Sequence, residues 1–319
     1  MPKLSVIIPA YNVEKHIEKC INSILNQTYR DFEIIFIDDN SLDRTNDIGK
    51  EILESQTLIP YKIISKEENE GISSARNTGI ETAIGDYVLF IDSDDWIDKQ
   101  MLQSLINSAT SVKAEIVVSR VRQVYESSDT TEVLKSVSPG ILSGEQAVLE
   151  LFKGKFHAHI CKMLFAKSLF QNIRFPVGVV YEDMLMVPYI FVAAKKVCFI
   201  DDVMYNYLQR LGSITKSFNP NIIRVCARLV EMERDFEYLR SEDRQRSLMR
   251  YVYLGYLILV EQAAILSPSY EKAELILTTC RRSIKTIEIY NQLKIRPSKS
   301  MLLLLLLKVS PKLFYKRYK

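Results

Sequence analysis

Short runs rich in β-branched residues, each closing on polar residues and separated by segments of helical periodicity, leave this chain few folds to choose from. Leu4–Pro9 (LSVIIP) and Phe32–Asp38 (FEIIFID) are continuous apolar runs of strand length, the pattern of strands covered on both faces. Between them Val13, Ile17, Ile21, Ile24 and Leu25 recur at helical spacing, so the first unit reads strand, helix, strand in a parallel crossover. Tyr61–Ser65 and Tyr87–Asp92 (YVLFID) add two strands, with a helix over Ser73–Ala83 between them. Up to Asp95 the pattern is an α/β half of the nucleotide-binding kind.

Beyond Trp96 the alternation loosens. A helix is expected around Lys99–Ala109, a strand over Ala114–Ser119 (AEIVVS), then a polar stretch ending near Gly140. From Asn219 strand signals fade, and Ile222–Leu239, Ser247–Leu266 and Tyr270–Lys294 read as three long helices. The expected organisation is an α/β domain over residues 1–217, split into halves at 98/99, followed by a mostly helical region over 218–319. A chain of 319 residues has room for both, and 47% hydrophobic with 25% charged residues is ordinary for a globular protein. A net charge of +3 gives no support for nucleic acid as a partner. Five cysteines without a C-x-x-C pair suit a reducing compartment. With Met1 leading almost directly into a strand, a cytoplasmic location is expected, extending to the inner face of the cell membrane.

In open α/β sheets ligands bind at the carboxyl ends of the strands, where this sequence repeatedly places polar residues. The exits are Pro9-Ala10-Tyr11-Asn12, Asp38-Asp39-Asn40-Ser41, Asn69-Glu70-Gly71 and Asp92-Ser93-Asp94-Asp95. Clustered carboxylates are costly unless a positive group joins them, and Asp92 with Asp94 offers hard oxygens to Mg²⁺ or Mn²⁺. Asp39 suits a nucleobase N–H and Tyr11 a base face, although a helix cap and a core aromatic explain the same residues. Gly71 opening a helix that carries Arg76 suits an anion, while a turn with an Arg–carboxylate pair fits equally.

SVIIPAYN, IDDNS, NEGISSARNTG and GDYVLFIDSDD, in this order and at short spacing, resemble the donor half of family 2 glycosyltransferases with the GT-A fold. KMLFAKSLF, IRFPVGVVYEDMLM and YNYLQRLGSIT extend the likeness more loosely. The resemblance implies an inverting, metal-dependent transfer from a UDP-sugar to a hydroxyl of a glycan or lipid-linked acceptor, in surface polysaccharide or glycolipid synthesis. It implies that Pro9, Tyr11, Asp39, Asn69 and Arg76 hold the nucleoside, that Asn12, Asp92 and Ser93 join the donor site, and that Asp92 and Asp94 hold the metal. Arg210 and Ser213 match a loop that closes on the diphosphate. Glu182-Asp183 matches the catalytic pair, with Asp183 as the base; the same pair also suits the start of the helix MLMVPYIFVAA.

Asp95, Trp96, His159 and Lys162 are placed on the acceptor side. The three histidines, His16, His157 and His159, lack the spacing of a zinc site, and His16 is expected to face solvent. Residues 299–319 join SMLLLLLL to a basic segment, which suits either a membrane surface or docking on the core or a second subunit in a homo-oligomer; it is too short for a span. A nucleotidyltransferase-like enzyme is disfavoured because PAYN contains no Gly-rich phosphate loop, and a silent nucleotide-sugar-binding scaffold because Asp92, Asp94 and Asp183 are all present.

Overall fold

The computed structural model describes residues 3–56, 58–126, 128, 130–210, 218–239, 241–295 and 298–319. The chain forms two compact units. One comprises Met1–Val148, Lys155–Gly178 and Met186–Arg210; the other comprises Leu149–Gly154, Val179–Leu185 and Leu211–Lys319. By packing, the first unit ends at Arg210, earlier than the expected 217, and the segment holding Glu182-Asp183 groups with the helical unit.

The first unit opens with β1 (Leu4–Ala10), α1 (Ile17–Leu25), β2 (Phe32–Asp38), α2 (Thr45–Ser55), β3 (Tyr61–Ser65), α3 (Ile72–Thr82) and β4 (Tyr87–Phe90). β1 runs parallel to β2 on one side and β4 on the other, with β3 parallel to β2 beyond. Every residue of β1 and β2 is buried, as their unbroken apolar runs require, whereas β3 is an edge strand with Tyr61, Lys62 and Ser65 exposed. The order 3-2-1-4 reverses at β1, so the carboxyl ends of β1 and β4 flank a topological switch point. α3 crosses β1 closely at Gly79, where a Cβ would stand 2.3 Å from Ile7 Cγ2.

Next come β5 (Trp96–Ile97), α4 (Met101–Val112), β6 (Ile116–Tyr125), β7 (Thr131–Val133), β8 (Gly140–Leu142), α5 (Gly144–Phe152), β9 (Met163–Ala166), α6 (Glu182–Ala193) and β10 (Val197–Gln209). Among the described residues one ten-stranded sheet runs β3-β2-β1-β4-β9-β6-β10-β5, with β7 on β6 and β8 on β10. β9 is antiparallel to both β4 and β6, and β6 is parallel to β10. β6 outruns the expected Ala114–Ser119 because its polar continuation is satisfied across the sheet. Arg120 pairs with Asp201 at 3.0 Å, and Arg122 donates to Asn206 Oδ1 at 2.7 Å.

The helical unit contains α7 (Ile223–Asp235), α8 (Glu242–Leu266), α9 (Tyr270–Ser283), α10 (Thr286–Ile295), α11 (Lys299–Val309) and α12 (Pro311–Lys316). The single helix expected over Tyr270–Lys294 is two. Between them the Lys285 N–H donates to Tyr253 Oη at 3.0 Å, a tertiary bond that takes the place of a ladder bond. Among the described residues α8 alone is long and apolar enough to span a membrane, but 67% of its apolar window is buried in the fold, making it a core helix. Met301, Leu304 and Leu307 of α11 are buried as well.

Candidate active site

The loops leaving β1 and β2 are laced together. Asn12, at φ +51°, accepts the Leu42 N–H on its side-chain oxygen at 2.8 Å, and its own N–H donates to Ser41 Oγ at 3.0 Å. Asn12 thus fixes the shape of these two loops, and its oxygen is already engaged. Pro9 is buried near the end of β1. The Ile7 carbonyl accepts the Ile91 N–H, so Pro9, two residues on, faces the same neighbour past the end of β4, where no ladder bond needs its missing N–H. Tyr11 is 40% exposed at the same exit.

Asp39 is buried and bonded to the next loop. Its carboxylate accepts the N–H of Glu70 at 3.2 Å and of Gly71 at 2.7 Å, and its carbonyl accepts from Asn69 Nδ2 at 3.2 Å. Lys66, missed by sequence reasoning, stands 3.7 Å from the same carboxylate and donates to Ser74 Oγ at 2.6 Å. Gly71 caps α3 at φ +88°, a conformation that L side chains rarely adopt. The loop is therefore held from both sides, with the Asn69 side chain exposed.

Arg76 lies inside the fold. One turn into α3 it is only 2% exposed; its Nη2 donates to Asp92 Oδ1 at 2.8 Å, and its guanidinium lies 6.0 Å from the Phe90 ring centre and 5.5 Å from that of Phe175. Asn77 holds the Phe175 backbone through two bonds of 2.9 Å. Buried among rings, Arg76 orients Asp92 from behind.

The loop after β4 gathers three carboxylates. Asp92 and Asp94 are 25% and 23% exposed at the side chain, and Arg210 Nε donates to Asp94 Oδ2 at 2.7 Å. Ser93 between them is buried, so its hydroxyl faces away from solvent. Asp95 is buried too, accepting from Tyr205 Oη at 2.6 Å and from the Leu208 N–H at 2.7 Å, and both bonds brace the loop. Tyr205 Oη also accepts the Asp92 N–H at 3.2 Å, tying both ends of the triplet to β10. Burial, then the charges of Asp94 and Asp92, push the Asp95 carboxyl well above its usual range, a sign of negative charge in excess.

Asp92, Asp95 and Cys161 each offer a ligand atom, all within 4.8 Å of one another. Burial raises the Cys161 thiol well above its usual range, so the hard, accessible oxygens are those of Asp92 and Asp94. That donor set fits a divalent cation of the magnesium class. His16, expected in solvent, is half-buried beside Arg210 and Asp94, and burial followed by the Arg210 charge lowers its pKa. Ser213 lies outside the described residues.

Trp96 is half-buried with Lys19 Nζ 3.0 Å from its ring centre. Lys162 is 1% exposed, its Nζ 5.4 Å from the Phe156 ring centre, and the His159 ring stands 5.3 Å from that of Tyr207. In the helical unit Glu182 is buried whereas Asp183 is half-exposed, directly after Tyr181 at φ +59°. The Tyr181 hydroxyl is pushed up to about 12 by burial and by Asp183.

The sequence matches the description "Glycosyl transferase family 2" over residues 5–174, more than half of the chain. It belongs to glycosyl transferase family 2. This family 2 glycosyltransferase is 30% identical over 223 residues to glycosyltransferase GlyA of Streptococcus pneumoniae serotype 4, across 67% of this chain and 32% of GlyA, so it spans about a third of that relative's length. Residues 1–349 of S. aureus TarS in complex with UDP-GlcNAc superpose with a TM-score of 0.75 at 20% identity, covering 99% of this chain and 90% of that one. The mannosyltransferase PcManGT of Pyrobaculum calidifontis, in complex with GDP-Man and Mn²⁺, has a TM-score of 0.58 at 16% identity, covering 99% of this chain and 87% of that one. Both solved structures share the GT-A fold with this glycosyltransferase. Tyr205, Leu208 and Arg210, which complete the acidic loop, lie beyond the matched span of the family.

Proposed function

We propose that this glycosyltransferase transfers a sugar from a UDP-sugar to a hydroxyl of a glycan or lipid-linked acceptor, with inversion and with a bound Mn²⁺ or Mg²⁺. The observation that carries this reading is the convergence of Tyr11, the Asp39-held loop and the Asp92–Asp94 carboxylates at the β1/β4 switch point. TarS in complex with UDP-GlcNAc supports UDP as the donor nucleotide. Tyr11 offers its ring to the base, and the Asn69 loop borders the nucleoside.

Asp92 and Asp94 would hold the metal, with Arg76 behind Asp92 and Arg210 against Asp94 fixing their carboxylates. A bound divalent cation would supply positive charge for the leaving diphosphate. Arg210 can turn from Asp94 to a phosphate as the donor enters, together with Ser213. Asp183 takes the proton of the acceptor hydroxyl as its oxygen attacks the anomeric carbon opposite the diphosphate; its exposure, against the burial of Glu182, favours it as the base. Trp96, His159 and Lys162 are assigned to acceptor binding.

The test is thermal unfolding with UDP, GDP and a panel of nucleotide sugars, with Mn²⁺ or with chelator, alongside a transfer assay. UDP should raise the unfolding temperature more with Mn²⁺ than with chelator. Asp183→Asn should keep that shift while losing at least a hundredfold in turnover, the scale of general-base catalysis. A shift indifferent to chelator removes the metal from the proposal, and full turnover by Asp183→Asn moves the base elsewhere.

A further inference from the structure

The outward side of α11 is apolar. Leu302 is 58% and Val309 73% exposed, and Leu305 and Leu306 between them are half-buried; residues 302, 305, 306 and 309 fall on one helical face. The next helix divides likewise. Phe314 and Tyr315 of α12 are buried, and Leu313 is 53% exposed beside exposed Lys312, Lys316 and Arg317. Aliphatic side chains aligned in this way on a solvent face mark a surface that meets something else.

Charge says what that is. No acidic residue follows Glu288 in the sequence. Two of the tail lysines are used internally, at helix ends. Lys308 Nζ donates to the carbonyls of Arg281 at 2.8 Å and Ile284 at 2.9 Å, where α9 stops; Lys319 Nζ donates to those of Ile265 at 3.1 Å and Ser267 at 2.8 Å, where α8 stops. Lys299, Lys312, Lys316 and Arg317 remain exposed along the apolar stripe. The nearby carboxylate of Glu261 is engaged by the Tyr318 hydroxyl.

We propose that α11 and α12 lie flat in the headgroup layer of an anionic bilayer, with Leu302, Val309 and Leu313 inserted and the exposed cations at phosphate level. An α11 of eleven residues reaches about 16 Å, half the roughly 30 Å of a hydrocarbon core, so it lies in the interface and does not cross it. A second copy of the chain fits less well, since a two-fold contact would bring the same cations face to face. Anionic lipid supplies the missing negative charge while accepting the leucines. The inference does not depend on the sugar-transfer reading.

Co-sedimentation of the full chain with phosphatidylcholine vesicles, with and without phosphatidylglycerol, tests it. The protein should pellet with the anionic vesicles and be released by salt. K312Q/K316Q should weaken partitioning roughly thirtyfold, at about 1 kcal/mol per basic residue. L302E/V309E should abolish pelleting with an unchanged unfolding temperature; should that variant misfold, K312Q/K316Q decides. Failure to pellet, or equal pelleting on both vesicle types by all variants, overturns the proposal. So does a dimer in mass photometry that L302E/V309E splits while vesicles are ignored.

Discussion

Single buried residues work under desolvation. His159 is the clearest case: its Nδ1 is buried without a hydrogen-bond partner among the described residues, and burial, then Lys162 and His157, lower its pKa to about 3. In the unfolded chain the imidazole takes a proton below about 6.5, whereas the folded one stays neutral to about 3. The unfolded state therefore binds more protons in that window, and stability is lost as pH is lowered, by up to ~1.4 kcal/mol per unit. Urea unfolding at pH 7 and pH 5 should show wild type losing ~2 kcal/mol more than His159→Phe; parallel losses would mean the ring is protonated in the fold. Residue placement was legible where polar residues follow an apolar run, as at Asp39, Asp92 and Asp94 beyond the ends of β2 and β4. Tyr205 was not, because the Asp95 carboxylate it serves is 110 residues away and nothing local marks it.

Among elements, the contact of α3 with β1 sets how closely the Asp92 loop and the Arg76 helix approach. Replacing Gly79 by Ala would favour the isolated helix by about 1 kcal/mol. In the fold the new Cβ meets Ile7 Cγ2 at 2.3 Å and Ile37 Cδ1 at 3.2 Å, an overpacking that costs roughly 1–3 kcal/mol. Gly79→Ala should thus lower the free energy of unfolding by up to ~2 kcal/mol, against its helix propensity; a stabilised variant in guanidinium would show that α3 can lift without cost. The apolar runs made β1, β2 and β4 legible. α2 escaped because TNDIGKEILES keeps only a thin apolar stripe, and the break between α9 and α10 because it depends on the Tyr253 hydroxyl and not on Gly or Pro. Polar β6 residues read as loop for the same reason, their partners Asp201 and Asn206 lying on β10.

For the whole molecule, the α/β domain and helical appendage were legible from the change of periodicity, but the division by packing was not, since Leu149–Gly154 and Val179–Leu185 join the helical unit from inside the first. The first hundred residues carry the four ordered motifs, yet β5 pairs with β10, and Tyr205 and Leu208 of β10 donate to the Asp95 carboxylate. A fragment of residues 1–112 should therefore show no UDP-dependent rise in unfolding temperature where the full chain does, and a shift equal to that of the full chain would mean that β10 is dispensable to donor binding.

The tie between Tyr205 and Asp95 also sets a clock on synthesis. At roughly 5–20 residues per second, the 110 residues separating them take on the order of 5 to 20 seconds to be translated. Throughout that interval the emerging chain carries three clustered carboxylates with neither Tyr205 nor Arg210 to hold them. The ribosome thus releases the acidic loop well before it releases the residues that hold that loop in place.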